Sequence, residues 1–261
     1  MKVVIFAGGL GTRISEESHL RPKPMIEIGS KPILWHIMKI YESQGFSEFI
    51  ICLGYRGYQI KEYFMNYFMH NSDVTIDIRS NQIEVHQTNT EAFKVTLVDT
   101  GHDTKTAGRL RRVRPYLEDQ ENFMLTYGDG VADVNLKELL EFHNSHDRIA
   151  SMTSVQPGGR YGVASIDEET SQVVEFIEKP REDGGWINGG FFVLRNDVFN
   201  YLHEDADDVM WEDQPMTDLA DEGNLMAYKH EGFWKAMDAM RDKKVLEDLW
   251  KGGSAPWKIW D

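Results

Sequence analysis

The sequence predicts an α/β protein with a mixed, mostly parallel central sheet flanked by helices, and with small β excursions. Three observations carry this. Lys2 to Ala7 (KVVIFA) is a continuous apolar run that stops at Gly8-Gly9, the pattern of a strand buried on both faces. Glu48 to Leu53 is a second such run, stopping at Gly54. Between and after these runs the apolar spacing is helical. The opening therefore reads strand, glycine loop, helix, strand, helix, which requires parallel strands and right-handed crossovers.

The elements follow in order. Ser30-Lys31-Pro32 predicts a helix start, with Ser30 as N-cap and Pro32 in the first turn, and Leu34, Ile37, Met38 and Tyr41 continue at helical spacing until Gly45. A second helix is predicted from Tyr58 to about Met69. Over 72–98 the period changes to strict alternation at Val74, Ile76, Ile78, then Ile83, Val85, then Val95, Leu97, which predicts amphipathic strands in one or two hairpins. Gly108 to Leu117 starts a basic helix carrying Arg109, Arg111, Arg112 and Arg114, for which a solvated face is the bland alternative. Asn122 to Tyr127 is a buried strand ending in Gly128-Asp129-Gly130, and Leu136 to His146 is a helix. Strands and turns alternate from Ser151 to Lys179, an apolar strand broken by Gly189-Gly190 spans Ile187 to Leu194, and helices are expected near 197–203, 212–222 and 240–251. No repeat or linker interrupts the chain, so residues 1–261 are read as a single domain.

Composition excludes several classes. With 41% apolar and 27% charged residues the chain has a globular balance. Its 28 Lys and Arg against 43 Asp and Glu give a net charge of −15, the wrong sign for nucleic acid or an anionic membrane surface. A negative protein that handles phosphates must gather cations locally. The single cysteine, Cys52, lies in an apolar run and reads as a buried structural thiol in a reducing compartment, so a cytoplasmic location is expected. The N-terminal apolar run is too short for a signal peptide.

The most informative segment is Gly8-Gly9-Leu10-Gly11-Thr12-Arg13, entered from Phe6 and Ala7. Glycines let a backbone approach a ligand, and successive N–H groups in such a loop form an anion-binding concavity. Arg13 adds a planar cation suited to phosphate oxygens. The segment fails as a Rossmann fingerprint, because Ile14 stands where the third glycine belongs, and it lacks the Lys-Ser/Thr of a Walker A loop. Downstream, prolines on both sides of Lys23 (RPKP) restrict the backbone and hold that lysine in position. Asp129, between two glycines at a strand end, is either a turn residue or a metal ligand. Asp238, in WKAMD, is a second acidic candidate, and one or two carboxylates with substrate phosphates suit Mg²⁺. His143 and His146 share the i, i+3 spacing of a zinc pair, but no further ligands are evident, so they read as packing histidines.

G-G-x-G-T-R followed, nine residues later, by K-P resembles the signature of the sugar-phosphate nucleotidyltransferases, the NDP-sugar pyrophosphorylases, matched here by Gly8, Gly9, Gly11, Thr12, Arg13 and Lys23. The resemblance implies a Rossmann-like nucleotidyltransferase fold. It implies that the loop wraps the triphosphate, that Arg13 and Lys23 neutralise phosphate charge, and that Asp129 and Asp238 hold Mg²⁺. Glu178-Lys179-Pro180 is similar to a family segment that contacts the sugar phosphate, and Asn188-Gly189-Gly190 to one beneath the hexose. Longer stretches (KPILWHIMK, VTLVDTG, INGGFFVL and the C-terminal APWKIW) resemble the subgroup that uses CTP and α-D-glucose 1-phosphate. They add Thr104, Arg109 and Gly128 around the nucleotide. The segment His102-Asp103-Thr104-Lys105 departs from the small polar residues expected there. Homo-oligomers, hexamers among them, are implied, with 72–98 as candidate interface. The expected reaction is in-line attack of an already ionised phosphate oxygen on the α-phosphorus of CTP, needing no general base. A uridylyl- or thymidylyltransferase, or a silent nucleotide-sugar-binding regulator, are the rival readings.

Overall fold

The computed structural model describes residues 1–9, 11, 14, 19–88, 90–156, 163–166, 173–177 and 185–260. Strands and helices alternate through the first half: β1 (Lys2–Phe6), β2 (Glu27–Ile28), β3 (Lys31–Pro32), α1 (Ile33–Glu42), β4 (Glu48–Leu53), α2 (Gly57–His70), β5 (Ser72–Asp77), β6 (Gln82–Thr88), β7 (Lys94–Asp99), α3 (Thr106–Arg112) and β8 (Asn122–Tyr127). The second half adds β9 (Gly130–Ala132), α4 (Leu136–Asn144), β10 (Ala150–Val155), β11 (Val163–Ile166), β12 (Val173–Ile177), β13 (Ile187–Arg195), α5 (Gln214–Asp221), β14 (Leu225–His230), β15 (Trp234–Ala236) and α6 (Met240–Lys251).

Seven strands form one sheet in the order β14-β10-β13-β8-β1-β4-β7. Its pairings are parallel except those of β13, which runs antiparallel to both β10 and β8. The continuous apolar runs are explained by two-sided burial. Val3, Ile5, Phe49, Ile51, Phe191 and Val193 face one apolar layer with α1 and α6. Val4, Phe6, Ile50, Cys52, Phe192 and Leu194 face the other, with Leu110 of α3 and Trp211. Each such side chain removed from water contributes about 1.5–3 kcal/mol, which outweighs any local propensity.

Three local expectations are corrected. Helix α1 starts at Ile33, not after a Ser30 cap: Lys31–Pro32 pairs with Glu27–Ile28 around Gly29, whose φ is +64°. A residue before proline is driven to extended backbone, so Lys31 joins a strand. Helix α3 spans Thr106–Arg112 and gives way to a 3-10 turn at Arg114–Tyr116, because Pro115 cannot continue an α-helix. Of the alternating segments, β5 and β6 form one hairpin, whereas β7 is an edge strand of the main sheet beside β4. Its alternation reflects that half-exposed edge position.

The strand at 187–194 is continuous through Gly189-Gly190. A Cβ on Gly190, where φ is +82°, would lie 2.6 Å from the Tyr127 ring, so the glycine lets β13 pass close over β8. The C-terminal ends of β1 and β8 and the start of β13 thereby meet at one edge of the sheet.

Candidate active site

That edge opens into a cleft of about 420 Å³, lined by Gly9 and Gly11 after β1, by Lys23, by Tyr127 to Gly130, and by Asn188 to Phe191 on β13. Gly11 has φ +63°, as expected of a loop that turns its amides toward a ligand. Gly128 is packed against β1, its N–H donating to the Phe6 carbonyl at 2.9 Å, and a Cβ there would sit 2.7 Å from that oxygen.

Lys23 opens the 3-10 turn Lys23–Met25, anchored by buried Pro24 and Met25. Its ammonium donates to Asp129 Oδ2 at 2.6 Å and to Asp238 Oδ1 at 2.8 Å. The lysine side chain is 12% exposed and the carboxylates 31% and 32%, so the trio faces the cleft rather than bulk solvent. Burial works to lower the lysine's pKa, but Asp129 and then Asp238 outweigh it, and the net shift is upward. Asp129 and Asp238, far apart in sequence, are joined by a two-stranded ribbon. Strand β15 pairs with β9, Ala236 opposite Gly130, and the Met237 N–H donates to the Asp129 carbonyl at 2.9 Å. Met237 is fully buried beneath them. The W-K-A-M-D segment therefore delivers Asp238 to Asp129. Two carboxylates and a cation at a glycine loop are suited to binding polyphosphate together with a divalent metal.

A family model described as Nucleotidyl transferase matches residues 2–238. The chain belongs to this nucleotidyl transferase family. A Salmonella typhi protein named glucose-1-phosphate cytidylyltransferase is 54% identical over 261 residues, covering all of both chains. A Bacillus subtilis protein named probable glucose-1-phosphate cytidylyltransferase is 42% identical over 260 residues, again covering both in full. Among solved structures, a putative glucose-1-phosphate thymidylyltransferase from Bacillus anthracis superposes with a TM-score of 0.70 at 16% identity, covering 100% of this chain and 98% of that one. At that identity the likeness concerns the Rossmann-like fold, which agrees with the fold class read from the sequence.

In this nucleotidyl transferase, Phe6, Ala7, Gly9, Gly11, Lys23, Gly128, Asp129, Asn188, Gly189, Gly190 and Asp238 all border the same cleft. Leu10, Thr12, Arg13, Glu178 and Lys179 lie outside the described residues. Gly8 sits just behind the cleft, beneath Arg109. A Cβ on Gly8 would be 2.2 Å from the Arg109 guanidinium. Arg109 is 4% exposed, so the solvated-face reading fails for it. Its Nη1 donates to the Leu53 and Gly101 carbonyls and to Thr100 Oγ1, and its Nη2 to the Gly8 and His102 carbonyls, at 2.8–3.3 Å. Thr104 lies in the same bundle of loops, beside Gly101.

Two further aromatic residues hold the predicted cleft residues in place. Asn188 Nδ2 donates to the Tyr127 hydroxyl at 3.1 Å, the Gly190 N–H donates to Asn188 Oδ1 at 2.8 Å, and Trp234 Nε1 donates to the Gly189 carbonyl at 2.7 Å. Tyr127 and Trp234, not among the predicted site residues, are the first residues of the segments YGDG and WKAMD that supply Asp129 and Asp238, and that position was the available signal. Thr106, Met210 and Glu212 also line the cleft, and nothing local marks them.

Cys52 is fully buried, and burial pushes its thiol up to about 12. His143 Nδ1 and His146 Nε2 both meet Ser151 Oγ, at 2.9 and 3.0 Å, so these two serve packing, as read. Among the described residues no helix is long and apolar enough to cross a membrane.

Proposed function

We propose that this nucleotidyl transferase moves the cytidylyl group of CTP to α-D-glucose 1-phosphate, forming CDP-glucose and pyrophosphate with the help of Mg²⁺. The observation that carries the reading is the Lys23–Asp129–Asp238 cluster at the edge of the glycine-loop cleft. Full-length identity of 54% to the Salmonella typhi cytidylyltransferase supports the choice of substrates.

The residues fit a divalent cation. An ammonium already bridges the two carboxylates, so the space between them attracts positive charge, and Mg²⁺ takes one or two carboxylates with the remaining oxygens from water and phosphate. Held by Asp129 and Asp238, Mg²⁺ supplies charge neutralisation between two phosphate-bearing substrates. The chain does the rest. The Gly8–Arg13 loop offers amides and Arg13 to the triphosphate. Lys23 and Lys179 take phosphate charge, and Glu178 with Asn188-Gly189-Gly190 seats the hexose. Thr104 and Arg109 act from behind the loop, Arg109 by fixing the Gly8, Leu53 and Gly101 carbonyls. Each pair of like unit charges at about 4 Å opposes the encounter by about 4 kcal/mol at an effective dielectric of 20. Cations and positioning are therefore the main catalytic device, and the phosphate nucleophile is ionised already.

The sheet draws strands from Lys2 to His230, which supports one domain over 1–261. Exposed Ile76, Ile78 and Ile83 on the β5–β6 hairpin support a second copy of the chain as its cover, in a cytoplasmic homo-oligomer; a monomer on sedimentation would refute that part. The reaction itself is tested by incubating the purified protein with glucose 1-phosphate, Mg²⁺ and each NTP in turn. Pyrophosphate release is expected with CTP above UTP and dTTP, and release with UTP or dTTP alone would overturn the reading.

A further inference from the structure

Glu212 enters the cleft from the segment between the 3-10 turn Ala206–Asp208 and α5. Its Oε2 accepts from Thr106 Oγ1 at 2.8 Å, and Thr106 Oγ1 accepts in turn from the Trp211 N–H at 2.7 Å. Tyr127 lies near the same carboxylate, and Asn188 Nδ2 donates to the Tyr127 hydroxyl while the Gly190 N–H fixes which way the Asn188 amide faces. A carboxylate has about four acceptor sites. Thr106 occupies one, which leaves acceptor capacity on a side chain that borders the cleft.

The geometry points to Glu212 as a specificity-determining residue for the acceptor sugar, taking hydrogen bonds from the hydroxyls of a neutral hexose 1-phosphate and rejecting sugars that carry a carboxylate. Tyr127, near Glu212, is bonded to Asn188 on the wall formed by Gly189 and Gly190. The Lys23–Asp129–Asp238 cluster is the part of the lining assigned to phosphate and its cation, which leaves the hydroxyls of an uncharged ring for Glu212. A hydroxyl donor suits an acceptor pinned from behind, since a pinned acceptor loses little freedom on binding.

This inference rests on the sugar 1-phosphate reading of the site, and one experiment separates the two. Wild type and Glu212→Gln are assayed for pyrophosphate release with CTP and glucose 1-phosphate, with its singly deoxygenated analogues, and with glucuronic acid 1-phosphate. Wild-type release with glucose 1-phosphate decides the underlying reading alone. In the variant, the KM for glucose 1-phosphate is expected to rise about tenfold to a hundredfold, the range for a hydrogen bond to a charged group. The KM for CTP should not change. At least one deoxy analogue that is poor for wild type should lose nothing further in the variant, because both changes remove the same bond. Discrimination against glucuronic acid 1-phosphate should fall. Parallel rises in both KM values would assign Glu212 a structural role, and an altered preference between CTP and UTP with an unchanged sugar KM would turn it toward the base; either result overturns the inference. If Glu212→Gln does not fold, Thr106→Val removes the bond that holds the carboxylate and should raise the same KM by a smaller factor, and an unchanged KM there would also overturn it.

Discussion

Lys23 and Arg109 are both largely buried cations at the same edge of the sheet, and they are held in opposite ways. Lys23 meets two carboxylates on the cleft, and those charges outweigh desolvation, so its pKa rises. Arg109 meets four backbone carbonyls and one hydroxyl behind the cleft, and burial lowers its pKa. Side-chain carboxylates can exchange an ammonium for a metal or a phosphate-bound ion. Backbone carbonyls pinned by a guanidinium cannot change partners without unfolding the loops they belong to. The first arrangement is adaptable and suits chemistry; the second is fixed and suits construction.

The largest effect expected from this contrast is on turnover. Asp129→Ala should lower kcat by about a thousandfold, and Lys23→Ala by about a hundredfold, the scale on which removing a charge-stabilising group acts. Both are measured as pyrophosphate release at saturating substrates. Near-normal rates in either variant would break the comparison, because the cluster would then be no more than an ion pair. Lys23→Arg should not restore the rate, since a planar fork does not replace a compact point charge between two carboxylates.

Arg109 should instead appear in stability. Arg109→Met removes a donor from four carbonyls; Gly8 and Leu53 keep the Tyr55 and Thr100 N–H groups, but Gly101 and His102 keep no other donor among the described residues. A buried group left unsatisfied costs about 1–3 kcal/mol, so a loss of about 3 kcal/mol or more is expected. At about 2–4 °C per kcal/mol for a chain near this size, Tm should fall by about 6–12 °C. Lys23→Ala should lower Tm by much less, because Asp129 and Asp238 keep access to water. A Tm unchanged in Arg109→Met, with activity lost, would instead mean that the guanidinium serves the substrate directly.

The same contrast explains what could be read from the chain. Lys23 was legible because flanking prolines fix its backbone, and Asp129 because flanking glycines at a strand end open space around its carboxylate. Strands β1, β4 and β8 were legible because burial on both faces requires unbroken apolar runs. Asp238 needed the pairing of β15 with β9, and Glu212 needed α3 to approach the segment before α5, contacts formed over a hundred residues apart and carrying no local mark. Arg109 is placed near the nucleotide by resemblance alone, and its burial carries no local mark for a similar reason. Its surroundings are glycines and carbonyls from three other loops, and a helix rich in arginine gives no hint that one of them points inward.

Histidine provides the smallest test of whether burial wins where no carboxylate is bonded to the base. Burial pushes His143 down to about 4, with His146 and Arg195 adding to the effect. Burial likewise pushes His36, ringed by Trp35, Trp250 and Trp257, down to about 4 against weak opposition from its contact with the Ile28 carbonyl. In the unfolded chain both rings bind protons near the ordinary value of about 6.5. Between that pH and about 4 the unfolded chain therefore holds more protons than the folded one, so stability must fall as the pH falls through this window. The slope is at most about 1.4 kcal/mol per pH unit for each histidine. Tm measured across the window should decline accordingly, and His143→Gln, which can still bond to Ser151, should decline less steeply. An equal slope in that variant would mean that the buried ring already accepts a proton in the folded protein, and desolvation would then not be the force that separates Lys23 from the other buried bases.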